Sequence, residues 1–181
     1  MTRRILLLLT VGIVLVLALF FIVRGRSSSP ASAPVSATPK PNGPSAAQLK
    51  RNAQHTQLVS FARAILPDLA QSARLMDHTA AGTAVAHSVG AQLAICNHDS
   101  GRVDAVQTNA ASVQWPPGGT PARLWRHEIF SVYHLYFGAV VECRNAYDTQ
   151  DAGQAASAVS DLAAAARKMH REENRARSIL K

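Results

Sequence analysis

The sequence predicts an all-α protein with an N-terminal transmembrane helix, a disordered Ser/Pro/Ala stalk and an antiparallel four-helix-type bundle. These regions cover residues 1–26, 27–45 and 46–181. The chain begins with an unbroken apolar run, continues through a proline-rich stretch, and then shows four segments with apolar residues three and four positions apart. That spacing is the period of an amphipathic helix, and no strand-like alternation of apolar and polar residues extends over a useful length.

The apolar run Ile5–Val23 is flanked by Arg3 and Arg4 on one side and by Arg24 and Arg26 on the other. A helix of this length crosses the ~30 Å hydrocarbon core of a bilayer. A cleaved signal peptide is the alternative, but its apolar region would be shorter, about 7–15 residues, and a small-residue cleavage site would follow closely. The sequence therefore favours an uncleaved signal anchor.

The next segment, residues 27–45, consists almost wholly of small and polar residues and contains five prolines. This composition buries too little apolar surface to offset the entropy of ordering, so we expect an extended, disordered stalk. The charges that flank the anchor are nearly balanced and leave its orientation open. The stalk, together with a cysteine pair in the bundle, favours a single-pass membrane protein with most of the chain outside the cytoplasm.

The first bundle helix is predicted to begin at a capping box, in which Ser45 and Gln48 satisfy each other's backbone N–H groups. Its apolar stripe contains Pro67, which predicts a kink or break near Ile65–Leu66. Gly82 is expected to end this helix.

The second helix carries the turn-like segment Asn97–Gly101, which leaves open either one distorted helix or two short helices. A run of prolines and glycines follows, and Thr120 with Pro121 predicts the start of the third helix. Asp148 or Thr149 is expected to cap the fourth. Short connections between four amphipathic segments are typical of an antiparallel bundle.

The only two cysteines, Cys96 and Cys143, fall on the apolar stripes of the second and third helices. If these helices form a hairpin around Pro117, the two positions lie within about one turn of facing each other. We expect a disulfide bond between them. Two free buried thiols are the alternative, and a metal site is disfavoured because the sequence lacks a Cys-x-x-Cys pair.

Antiparallel pairing of the last two helices predicts that His127 and Glu128 approach His170 and Glu173. These four residues are the candidate ligands for a metal ion, since histidine and carboxylate side chains suit transition metals. A set of surface ion pairs is the simpler interpretation of the same cluster.

The chemistry of the chain is otherwise uninformative, because neither a nucleophile elbow nor a phosphate-binding glycine loop is present. We therefore expect a protein without enzymatic activity, cofactor or nucleic-acid partner. The net charge is +8, but the first 45 residues hold five basic and no acidic residues, so residues 46–181 carry only +3. The basic final helix leaves one further hypothesis, in which the domain lies in the cytoplasm and this helix contacts nucleic acid or anionic lipid.

The third helix has an apolar surface wider than one stripe. This surface suits either a central helix of the bundle or a helix that contacts a partner. Its aromatic residues are Trp125, Phe130, Tyr133, Tyr136 and Phe137. The leading hypothesis is thus an envelope-anchored module that binds or positions a protein partner, and the alternative is a sensor or store for a metal or small ligand.

Overall fold

The computed structural model describes residues 43–114 and 116–181, which form four α-helices and contain no strand. The helices are α1 (Ala46–Val85), α2 (Val89–Ser112), α3 (Pro121–Thr149) and α4 (Ala152–Ile179). They belong to a compact unit that spans Gly43–Lys181. None of the described helices is long and apolar enough to cross a membrane. The predicted anchor and nearly all of the stalk lie outside the described residues. The predicted all-α bundle is confirmed.

Helix α1 begins at the predicted capping box, with Ser45 as N-cap and both Ser45–Gln48 hydrogen bonds present. The predicted break near Ile65–Leu66 is wrong, because α1 runs for 40 residues with Pro67 inside it. The alternative of a kink at this position stays a prediction. Pro67 is exposed, while Ile65 and Leu69 on either side are fully buried. Packing of these neighbours keeps the helix continuous despite the missing backbone N–H of proline.

The predicted end of α1 at Gly82 is also wrong, since the helix continues to Val85. A Cβ atom at Gly82 would lie 3.3 Å from the side chain of Ile95, so this glycine allows α1 and α2 to approach closely. The hydroxyl of Thr83 donates to the carbonyl of Thr79 inside the last turns. Helix α2 is continuous through the turn-like segment Asn97–Gly101, which decides between the two predicted arrangements.

Helix α3 begins as predicted, with Thr120 as N-cap and Pro121 at the first helical position. The predicted caps of α4, Asp148 and Thr149, are wrong because both residues still belong to α3. Asp151 is the N-cap, and its carboxylate accepts hydrogen bonds from two backbone N–H groups of α4. Such a cap satisfies donors that the helix itself leaves unpaired.

The four helices form a ring in which consecutive helices are neighbours and α4 closes the ring against α1. Helices α1 and α3 lie diagonally and run in the same direction, as paired contacts show. Phe61 packs against Trp125 and Thr79 bonds Tyr136, so residue numbers increase together along both helices. The bundle is therefore antiparallel between neighbours, with the start of α1 and the end of α4 at the same end.

Helix α1 is longer than its partners and extends beyond them at its start. The segment Ala46–His55, which we call the projecting segment, contains no buried side chain. At 1.5 Å per residue it is about 15 Å long. Leu58, less than one turn further on, is already half-buried against the core. The apolar core begins at Phe61 and continues to the far end of the bundle.

Candidate functional site

The predicted metal ligands lie on neighbouring helices, but their side chains form separate ion pairs. Glu128 of α3 pairs with Arg175 of α4. His170 lies with its Nε2 atom 2.6 Å from the carboxylate of Asp77 on α1, and its Nδ1 atom is 3.4 Å from Glu173. Because carboxylates and arginines occupy these contacts, the arrangement fits surface ion pairs better than a ligand set.

Within the described residues, no group of three or more His, Cys, Asp or Glu side chains is placed to hold a metal ion. Glu173 also pairs with Arg177 at 2.7 Å. Nothing in this geometry gathers His127, Glu128, His170 and Glu173 around one point, and the metal site stays a prediction.

His170 joins α1 to α4 at the surface. Its hydrogen bond with Asp77 raises the pKa of the imidazole, and Glu173 contributes in the same direction, while partial burial acts to lower it. Both carboxylates stabilise the charged form of the ring. His170 therefore acts as a cross-link between helices rather than as an open ligand.

The most concentrated polar cluster surrounds Asp99, whose side chain is completely buried between α1 and α2. Its oxygens lie 2.7 Å from Nδ1 of His78 and 3.0 Å from Nδ1 of His98. Thr79 donates a third hydrogen bond at 3.1 Å, and Arg102 lies 3.5 Å away. An ionised carboxylate only accepts hydrogen bonds, so each imidazole donates through Nδ1 and directs Nε2 away from Asp99.

Burial acts to raise the pKa of Asp99, but the hydrogen bonds from His78, His98 and Thr79 outweigh it and lower the pKa below its ordinary value. A buried charge is tolerated when it is fully hydrogen-bonded. The two histidines remain largely exposed, at 66 % and 70 %. This cluster was missed because its members are about 20 residues apart and Asp99 lies in a segment that resembles a turn.

Two buried tyrosine hydroxyls connect α3 to α1. Tyr133 bonds Ser72 at 2.7 Å, and Tyr136 bonds Thr79 at 3.1 Å. Burial raises the pKa of both tyrosines to about 12, although each hydrogen bond acts in the opposite direction. For Tyr136 the nearby charge of Asp99 adds to the increase. Both rings thus remain neutral and fix the diagonal register of the bundle.

Cys96 and Cys143 lie at disulfide distance, with Cα atoms 6.7 Å apart, so the predicted approach of the two cysteines is confirmed. They connect α2 to α3 close to the Asp99 cluster, since Cys96 is one turn from Asp99. A bridge at this position closes a loop of 47 residues. It therefore holds the pair of neighbouring helices that have the least extensive packing.

Helix α3 carries a second, largely apolar row of side chains at the edge of its core stripe. We call it the outer stripe; its members, at steps of four, three and four residues, are Phe130, His134, Phe137 and Val141. The two phenylalanines are half-buried, His134 is exposed and Val141 is 55 % exposed. By contrast, the other three aromatic residues of α3 noted in the sequence are buried in the core.

The aromatic rings of the outer stripe rest on buried side chains. Phe130 lies 5.7 Å from the ring of Tyr133 and below the guanidinium of Arg126, and Phe137 makes an edge contact with Tyr136 at 5.3 Å. Arg126 is itself held by the carbonyls of Ala111 and Val113 at the end of α2. Both phenylalanine rings of the outer stripe are therefore held by contacts within the bundle itself.

Comparison of the chain with known proteins found no matching family model, no matching curated protein and no matching solved structure.

Proposed function

We propose that the chain is a membrane-anchored helical bundle outside the cytoplasm that binds a protein partner in the cell envelope and has no enzymatic activity. The anchor and stalk come from the sequence. The observation that carries the binding role is the outer stripe of α3, because it leaves one exposed and two half-buried apolar side chains at helical spacing along the surface of a closed bundle.

The partner that fits this stripe is an amphipathic helix of another protein. Residues at steps of three and four along one helix meet the same steps on a second helix. Phe130 and Phe137 are already fixed by buried tyrosines, so binding would order few additional side chains. Val141 and His134 supply the exposed part of the contact.

Site-specific photo-crosslinking in the membranes of cells that naturally produce the full chain tests this proposal. With the crosslinking residue in place of Val141, we expect one product of defined mass. The product should disappear when Phe137→Ala is added, since that change removes the central anchor of the stripe. The matched control carries the crosslinking residue in place of Gln71, which is exposed on the polar side of α1.

Equal labelling at Val141 and Gln71, or no product at Val141, would contradict a partner site on α3. A product of twice the mass of the chain would instead assign the outer stripe to self-association. Thermal unfolding of the Phe137→Ala variant shows whether the bundle remains folded.

A further inference from the structure

A cleft of about 350 Å³ lies between α1 and the segment that connects α2 to α3. This volume falls within the range of small-molecule sites, about 300–1,000 Å³. The described residues that line the cleft include no charged side chain and no member of the outer stripe. They include Gln57, Ser60, Phe61 and Ala64 of α1, with Val113 and Pro117 on the opposite wall.

Both walls of the cleft are held by contacts within the bundle. The ring of Phe61 makes an edge contact with the ring of a buried tryptophan at 5.3 Å. On the opposite wall, Arg126 donates to the carbonyl of Val113 at 2.8 Å. Thr120 donates to the carbonyl of Pro117, also at 2.8 Å. A ligand would therefore enter a site that is already formed, and its binding would order few protein groups.

The side-chain oxygen of Gln57 lacks a hydrogen-bond donor. Its Oε1 atom is buried and has no hydrogen-bond partner in the described part of the chain. A buried acceptor without a partner is unfavourable and uncommon in folded proteins. The terminal torsion of a glutamine side chain is soft, so the amide can turn toward the cleft that it lines. A ligand with an N–H or O–H group would then supply the missing donor.

We propose that this cleft binds a small uncharged molecule with a flat apolar body and one N–H or O–H donor. The side chains of Phe61, Val113 and Pro117 suit the apolar body, and Gln57 accepts the hydrogen bond. A charged ligand is disfavoured, because it would lose hydration without meeting an opposite charge among the described lining residues. Neither the predicted anchor nor the outer stripe takes part in this binding.

Titration of the full chain with indole and benzofuran, followed by methyl NMR, tests this binding. The two probes are flat, uncharged and similar in size, but only indole carries an N–H donor. We expect saturable shifts of the methyl signals of Ala64 and Val113, and no shift at Ala105, which is exposed on α2. The protein is held in nanodiscs, or in buffer if it does not insert into them.

The variant Gln57→Leu separates the hydrogen bond from the apolar contact. It removes the acceptor and keeps a side chain of similar size, so indole should bind about three- to tenfold more weakly. The affinity for benzofuran should not change. Comparison of the variant with the unmodified chain at one lipid content cancels the partition of each probe into lipid.

A second variant fills the cleft. Ala64 is exposed and lines the cleft, so Ala64→Phe should abolish the binding of both probes. Ala105→Phe is the matched control and should leave both affinities unchanged. Unfolding curves of the three variants check that the bundle is intact.

Shifts that do not saturate, or that appear equally at Ala105, would overturn the inference. An equal effect of Gln57→Leu on both probes, or no effect on either, would also overturn it, because Gln57 would then not recognise the donor. Shifts of the Ala64 and Val113 signals that depend on protein concentration without any probe would instead assign the cleft to a second copy of the chain.

Discussion

Asp99 shows how one side chain can organise a bundle. A carboxylate that accepts three hydrogen bonds from two helices is stable when buried. Without the carboxylate, each of the three donors would lose this hydrogen-bond partner. Sequence reasoning could not find this cluster, since helical periodicity places a residue on a face but not beside a particular residue of another helix. The buried partners of Tyr133 and Tyr136 were missed for the same reason.

We expect Asp99→Ala to lower the free energy of unfolding by about 1–3 kcal/mol, because it removes three buried hydrogen bonds and leaves a cavity. Urea denaturation followed by circular dichroism measures this. Asp104→Ala, on the exposed side of α2, is the matched control and should change stability by less than about 0.5 kcal/mol. Equal effects of the two substitutions would contradict a structural role for the Asp99 cluster.

Tyr133 and Tyr136 make stability depend on pH in the alkaline range. Their pKa values rise to about 12 in the folded protein, compared with about 10 in an unfolded chain. The stabilisation is therefore complete below about pH 10 and declines as pH rises toward 12. Phenolate absorbance should show two of the three tyrosines protonated until about pH 12 or until unfolding.

Phenylalanine substitutions test that assignment. Tyr133→Phe and Tyr136→Phe should each remove one late-titrating group and reduce the loss of stability between about pH 10 and 12. Ionisation of all three tyrosines of the folded protein near pH 10 would show that the rings are hydrated and not buried.

At the scale of the helix, the sequence predicted two of the four helix starts correctly and misjudged where α1 would be interrupted or end. The caps at Ser45 and Thr120 were predicted correctly because capping is a local hydrogen-bond pattern. The break at Pro67 and the helix end at Gly82 were predicted wrongly because tertiary packing on both sides outweighs a local preference for a break. The side chain of Ile95, which accounts for Gly82, lies on another helix and has no local signal.

We expect Pro67→Ala to stabilise the protein by about 1–2 kcal/mol. The helix is already continuous at this exposed position, so alanine restores a backbone hydrogen bond and removes the proline ring from the preceding turn. The greater freedom of alanine in the unfolded chain offsets part of that gain, by about 0.4–1 kcal/mol. Differential scanning calorimetry should show a higher Tm, whereas a lower Tm would mean that proline shapes α1 in a way the bundle requires.

At the scale of the whole molecule, the cysteine pair can be tested directly. Full-length protein unfolded without reductant should react with no thiol reagent, and should gain two reactive thiols after reduction. Closing a loop of 47 residues is worth about 4 kcal/mol in the chain-entropy model, so Cys96→Ser with Cys143→Ser should reduce stability by up to that amount. Two thiols titrated before reduction would rule out the bridge and weaken the extracytoplasmic location.

The bundle architecture could be predicted from the spacing of apolar residues and the length of the connections, because both can be read directly from the sequence. Which distant residues come together did not follow in the same way, because it depends on how the helices pack. Only the antiparallel topology shows that residues as distant as Lys50 and Lys181 lie at the same end.

The position of the Cys96–Cys143 link also gives the bundle a gradient of resistance to local opening. The covalent bond and the Asp99 cluster both lie in the half remote from the start of α1. Fluctuations that separate helices should then begin at the opposite half, where contacts between helices are noncovalent. We expect backbone amides around Val106, which is buried in the other half of α2, to exchange with deuterium faster than those around Cys96, and reduction of the disulfide should diminish that difference.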